Sequence, residues 1–228
     1  MKHQKRLSAP KHYPIERKNG KYVVSGKGPH SEGLGVPMTV FLRDIMGFAE
    51  TADEARSILK SRNVKVNGKV VTRENYTVGF MDSISIEKID KDFRVLVDSK
   101  GLVFKEVEDA DKRIYRVEDK TTLKGGETQF NLDGGVNMVL DEEYPTRASL
   151  IVDLENDKVE KELPFEEGMT VVVTGGKHIG QIASIKEIHE LPGSQTNKVI
   201  LENQEGVEFE TVIDYVFVLG EDEPEVAV

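Results

Sequence analysis

Residues 51–86, TADEARSILKSRNVKVNGKVVTRENYTVGFMDSISI, constrain the fold more than any other stretch, because three local signals follow one another without a gap. Thr51 and Glu54 have the Thr-x-x-Glu spacing of a capping box, in which each side chain satisfies an orphaned amide at a helix start. Ala52, Ala55, Ile58 and Leu59 recur at helical spacing and form one apolar face, while Arg56 and Lys60 sit one turn apart on another. Asn63 is placed as the left-handed stop. Val64-Lys65-Val66 and Lys69-Val70-Val71 flank Asn67-Gly68, a pair suited to the two positive φ angles of a type I′ hairpin turn. A strict two-residue turn sets Lys65 and Lys69 on opposite faces, and a bulge would bring them together. The sequence leaves both open.

The chain has 228 residues, 38% of them hydrophobic, enough for two or three small domains. It has no cysteine, which excludes a disulfide-stapled fold and a cysteine zinc site. No apolar run approaches the ~20 residues that span a bilayer. The N-terminal MKHQKRLSAPKHYP is basic but lacks the apolar stretch of a signal peptide, so a cytoplasmic location is expected. The net charge of −10 is unevenly spread. Residues 1–30 hold eight Lys/Arg against one acid, a net of +7, so the remainder carries −17. Two readings fit an acidic body of this kind: a surface that repels nucleic acid outside a defined docking face or, the favoured one, a protein for very concentrated salt, where screening shortens to ~3 Å at 1 M and a well-hydrated surface keeps it soluble.

The expected class is α+β and mostly β, in several domains. Residues 1–36 read as an extended basic arm that would be disordered alone, with Tyr22-Val23-Val24 able to pair as a short strand. Residues 37–91 read as a small α/β domain, opened by a helix over 37–48 with Pro37 in its first turn and Gly47 at its stop. Residues 92–165 read as a small β domain with strands at 93–97, 102–104, 114–117, 129–132, 136–140 and 148–154. Residues 166–220 hold about five strands and suit a small barrel, and the acidic 221–228 reads as a frayed tail.

The glycine loop Gly175-Gly176-Lys177-His178-Ile179-Gly180 lacks the Gly-Lys-Ser/Thr end of a P-loop and lies between strands rather than before a helix. It resembles instead the KOW motif of ribosomal and transcription proteins, with Lys177 and His178 at its tip. None of the five histidines has a metal-ligand spacing with another ligand, and no nucleophile elbow is present. The expectation is therefore no catalytic site, no metal, no cofactor and no small-molecule substrate. In the arm, rings interleaved with cations suit a segment threaded between RNA helices, with a ring free to stack.

Basic residues on a helix are usually no more than a solvated face. Here the order of helix, hairpin and the turn Gly79-Phe80-Met81-Asp82 resembles the S4 RNA-binding domain, although Thr51-Ala52 stands where that family usually has Ser-Arg. Nearly the whole chain, roughly 2–220, resembles the archaeal and eukaryotic small-subunit ribosomal protein family S4e. The motifs that carry this are His3-x-Lys5-Arg6-Leu7-x-Ala9-Pro10-Lys11, Gly28-Pro29-His30, Leu42-Arg43-Asp44, Val64-x-Val66-x-Gly68-Lys69-Val70 and Val78-Gly79-Phe80-Met81-Asp82. They continue in Phe93-Arg94-Val95-Leu96, Val173-Thr174-Gly175-Gly176, Pro192-Gly193-Ser194 and Val216-Phe217-Val218-Leu219-Gly220.

The resemblance implies a non-catalytic constituent of the small ribosomal subunit, of halophilic archaeal type, with rRNA and neighbouring ribosomal proteins as partners. It orders the chain as arm, S4-like domain, central β domain and KOW barrel. The residues expected to meet rRNA are Lys2, His3, Lys5, Arg6, Lys11, His12, Tyr13, Arg17 and Lys18 in the arm. Arg43, Arg56, Lys60, Arg62, Lys65 and Lys69 are expected to do so in the S4-like domain, and Lys177 and His178 in the KOW loop. Two departures weaken the last contact: Lys177-His178-Ile179-Gly180-Gln181 stands where the family tends to have Arg-Asn-Leu-Gly-Arg, and Val212 stands where an arginine is frequent. An RNA-modifying enzyme with an S4-like appendage would need a catalytic domain that residues 91–165 do not supply. A KOW-bearing transcription factor would sit on RNA polymerase.

Overall fold

The computed structural model describes residues 3–31, 33–108, 110–189, 195–221 and 223–226. They fall into two compact units, one of residues 1–96 and 100–111, the other of residues 97–99 and 112–228.

The first unit opens with a two-stranded ribbon of β1 (Gln4–Lys5) and β2 (Tyr22–Val23). β3 (Gly35–Pro37) leads into α1 (Met38–Val40), then a π turn at Phe41–Ile45, then α2 (Ala52–Lys60). There follow β4 (Val64–Val66), β5 (Lys69–Val70), β6 (Thr77–Gly79), β7 (Ser83–Ile86), β8 (Lys91–Asp98) and β9 (Gly101–Val107). β3 pairs with β6, and the main sheet runs β5-β4-β7-β8-β9. Its core joins Phe41, Ala55, Leu59, Val64, Val66, Ile84 and Phe93 to Ala9, Tyr13 and Ile15 of the arm. The arm is thus packed into the unit along part of its length.

α2 begins where expected, but the capping box is offset. Thr51 Oγ1 accepts from the Glu54 N–H at 3.2 Å, whereas the Glu54 carboxylate accepts from Glu50 N–H at 2.8 Å. Such a cap stabilises a helix by about 1 kcal/mol. The left-handed stop is Arg62, φ 63°, not Asn63. The Asn63 carbonyl already accepts from Glu87 N–H at 3.0 Å, which commits Asn63 to the sheet. Residues 37–48 make less α-helix than their apolar spacing predicts. Met46 N–H reaches back five residues to the Phe41 carbonyl at 2.9 Å, and Gly47 (φ 68°) ends the segment.

The Asn67-Gly68 turn has φ of 49° and 73°, both positive as a type I′ turn requires. Lys65 pairs with Val70 and Val66 with Lys69, with no bulge, so Lys65 and Lys69 lie on opposite faces.

The second unit contains β10 (Lys112–Thr122), β11 (Thr128–Leu132), β12 (Val136–Leu140), β13 (Ser149–Asp153) and β14 (Lys158–Leu163). β15 (Thr170–Val173), β16 (Ile182–His189), β17 (Lys198–Asn203), β18 (Glu208–Val212) and β19 (Val216–Gly220) complete it. The first five form an antiparallel sheet in the order β12-β11-β10-β13-β14, the second five one in the order β18-β17-β16-β15-β19. Tyr115, Val117, Phe130, Leu132, Leu150 and Val152 pack with Tyr144 as one apolar cluster.

β14 is absent from the sequence expectations because Lys158, Glu160, Lys161 and Glu162 mask its alternation. The tail is not frayed over its described part. Glu225 N–H donates to the Leu219 carbonyl at 3.1 Å, Lys161 pairs with Glu221 and Glu225, and Val226 is buried.

Candidate RNA interface

The candidate RNA-binding residues divide by what already occupies them. In the arm, Arg6 donates to the carbonyls of Glu16 (2.8 Å) and Tyr22 (3.2 Å), and Arg17 donates to those of Ala9 and Pro10 (both 2.8 Å). These two guanidiniums tie the arm's own turns together. Tyr13 does not offer a ring for stacking: it is 4% exposed and its hydroxyl donates to the Gly35 carbonyl at 2.9 Å. His12 is half-buried edge-on against Tyr13, and burial lowers its pKa, with a hydrogen bond to the Gly35 backbone acting the other way. Lys5, Lys11 and Lys18 are exposed, with no ion-pair partner among the described residues. Lys2 lies outside the described residues, as does the Pro192-Gly193-Ser194 motif.

The sequence reading missed a ring that the structure does present. Tyr22 is 49% exposed, with the His3 ring centroid 5.3 Å away and Lys21 Nζ 5.4 Å from its own. The signal is present as Lys21-Tyr22, a cation beside an aromatic residue inside a basic arm, but the sequence expectation uses Tyr22 only in the short strand Tyr22-Val23-Val24.

In the helix and hairpin, Arg56 is held by Asp53 at 2.5 Å and by Glu74 at 2.9 Å, and its hydrogen bond to Glu74 raises its pKa. Lys65 pairs with Glu87 at 2.6 Å and Arg43 with Asp44 at 2.8 Å. Lys60, Arg62 and Lys69 are exposed and have no ion-pair partner among the described residues. Local pairing therefore splits the expected basic cluster into a neutralised part and an open part.

Gly26, Gly28 and Gly79 show why the Gly-Pro-His and Val-Gly-Phe-Met-Asp motifs occur in one chain. A Cβ on Gly79 would lie 2.4 Å from the His30 ring, and one on Gly28 would lie 2.3 Å from Thr77 Oγ1. Buried Asp82 binds His30 Nε2, Gly79 N–H and Asn67 Nδ2, each at 2.8 Å, and Asn67 Oδ1 accepts from Ser83 N–H at 2.9 Å. The hairpin turn, the strand turn and the end of the arm are one hydrogen-bonded network.

In the glycine loop, Gly176 and Gly180 have φ of 82° and 81°, and Gly180 N–H closes the turn on the Val173 carbonyl at 2.7 Å. Lys177 is exposed. The His178 ring stacks on Phe209, centroids 4.4 Å apart, and its Nδ1 lies 3.1 Å from Gln181 Oε1. Gln181, which occupies a position of expected arginine, thus orients a neighbouring ring.

Charge follows the units. Residues 1–111 hold twenty Lys/Arg and sixteen acids, a net of +4, while residues 112–228 hold eleven and twenty-five, a net of −14. Cations of the second unit are largely taken by acids: Lys112 by Glu160, Lys186 by Glu202 and Glu208, and Lys198 by Glu210. No helix is long and apolar enough to cross a membrane. No group of three or more potential metal ligands occurs among the described residues.

The RS4NT domain model matches residues 1–32, the S4 domain model residues 40–84, and the model of ribosomal family S4e residues 89–159. The small ribosomal subunit protein eS4 of Methanosphaera stadtmanae is 43% identical over 227 residues, 98% of this chain and 94% of that protein. Those of Archaeoglobus fulgidus and Haloarcula marismortui are 41% and 36% identical over 96% of this chain, covering 93% and 96% of their own lengths. The crystal structure of the 30S ribosomal protein S4e from Thermoplasma acidophilum superposes with a TM-score of 0.69 at 27% identity, covering 82% of this chain and 96% of that one. With this identity along nearly its whole length, the chain belongs to the S4e family of small-subunit ribosomal proteins.

Proposed function

We infer that this protein is a structural constituent of the small ribosomal subunit that binds and stabilises folded rRNA and catalyses nothing. The observation that carries this reading is the charge division. In a chain whose net charge is negative, residues 1–111 are net positive, and Lys5, Lys11, Lys18, Lys60, Arg62 and Lys69 of the arm and the S4 domain stand exposed and open to phosphate. Tyr22 with His3 supplies an exposed ring for an unpaired base. Arg6 and Arg17 shape the arm rather than read RNA.

The proposed division of labour is a basic arm over 1–36, an S4-like domain over 37–91, a central β domain over 92–165, a KOW barrel over 166–220 and an acidic tail. His178, backed by Phe209, offers its outer face to RNA while Lys177 meets a phosphate. The place of action is the cytoplasmic ribosome, among neighbouring ribosomal proteins, in a cell with concentrated internal salt.

Sedimentation of the tagged chain tests the reading. It is expected in small subunits at close to one copy each. Migration with RNA polymerase would make it a transcription factor, and a free enzyme-like pool would favour RNA modification.

A further inference from the structure

Open edges of antiparallel sheets invite pairing with another chain, and proteins blunt them with charge or cover them. Among the described residues, the five-stranded sheets follow this rule at every edge but one. β14 carries Lys158, Glu160, Lys161 and Glu162 in six residues. β18 carries Glu208 and Glu210, β9 carries Lys105 and Glu106, and the two-residue β5 carries Lys69. The tail lies against β19, donating from Glu225 N–H to the Leu219 carbonyl.

β12, Val-Asn-Met-Val-Leu, has no charge at all, in a chain of which 32% is charged. It is outermost in its sheet and pairs with β11 over all five residues without a bulge. Its other side therefore presents a regular row of backbone groups for a further strand. Asn137 and Val139 are exposed on one face, Val139 by 50%, a neutral surface on which an added strand can pack. The next residues, Asp141, Glu142 and Glu143, are all exposed, and none is ion-paired with a cation among the described residues.

We propose that the β12 edge is completed by an extended, basic segment of another protein, which adds a sixth strand and sets Lys or Arg against Asp141 and Glu143. Main-chain hydrogen bonds supply the affinity and the acidic end supplies the choice of partner. RNA is disfavoured because the acidic end repels phosphate. The inference rests on the functional reading only in needing a particle with protein neighbours.

The test replaces Val139 with a photo-crosslinking amino acid in the full chain and reads adducts in intact cells. The expected adduct is a peptide of another protein with excess Lys/Arg beside the crosslinked residue. The pair D141K/E143K, on exposed side chains, should lower its yield at least about fivefold with an unchanged melting temperature. An adduct to RNA, an adduct to a second copy, no adduct, or a yield indifferent to the reversed charges each overturns the proposal. Absence of the chain from small subunits defeats the functional reading instead, since the crosslink is read wherever the chain resides.

Discussion

His30 and Asp82, 52 positions apart, meet at 2.8 Å between Nε2 and Oδ2, with the Asp82 side chain fully buried. The contact fastens the end of the arm to the turn that precedes β7. Asp82→Ala would leave Gly79 N–H, the Asn67 amide and His30 without their acceptor. The expected loss is ~3 kcal/mol of folding stability, measured by urea denaturation. Gly79→Ala should also destabilise, because its Cβ would enter the His30 ring, and H30A should restore part of that loss. Additive effects of the two would contradict the packing argument.

His12 makes stability depend on pH in a stated direction. Its pKa is lowered from 6.5 by burial, so the unfolded chain binds the proton more readily than the folded one. Its stabilising contribution is complete above 6.5 and is lost as pH falls through that value toward the depressed one. The melting temperature of the free chain should therefore drop between pH ~7.5 and ~5. H12N should flatten that part of the curve, and an unchanged slope in H12N would assign the pH dependence elsewhere.

The pairing of Arg56 with Glu74 and Asp53 predicts unequal effects on RNA affinity. K60A and K69A should each weaken binding to small-subunit rRNA and reduce the log–log salt slope by roughly one phosphate contact. R56A should change the slope less, because its charge is already met by two carboxylates. E74Q should strengthen binding at low salt by freeing Arg56. Filter binding across a salt series separates these outcomes, and an R56A effect as large as that of K60A would count against the division of the cluster.

The charge division has a consequence for folding. The acidic residues 112–228 carry −14 even after local pairing, so their self-repulsion should grow as salt is withdrawn. Thermal melts are expected to move to lower temperature below about molar salt. A melting temperature that holds steady into dilute buffer would remove the case for a high-salt protein.

Signals confined to a few neighbouring residues were legible. The Thr51 cap, the Asn67-Gly68 turn and the strand runs within 93–154 depend on local backbone preference and alternation, and the structure keeps them. Long-range competition was not legible. Asn63 lost the helix stop because Glu87, 24 residues on, claims its carbonyl; β14, though its hairpin partner is near in sequence, was hidden for a different reason, the charges that an exposed edge strand carries. The candidate site followed the same division. Sequence placed the cations, but whether Arg56 or Lys60 remained open depended on Glu74, which the chain brings back 18 residues later.

The burial of Tyr13 and Ile15 bears on how tightly this protein holds its target. A loose arm would have to surrender its conformational freedom on contact with RNA, which subtracts from affinity. Here the described arm has surrendered much of that freedom already, during folding of the first unit. Encounter with rRNA then resembles the meeting of two preformed surfaces, and most of the interaction energy is kept for holding the complex together.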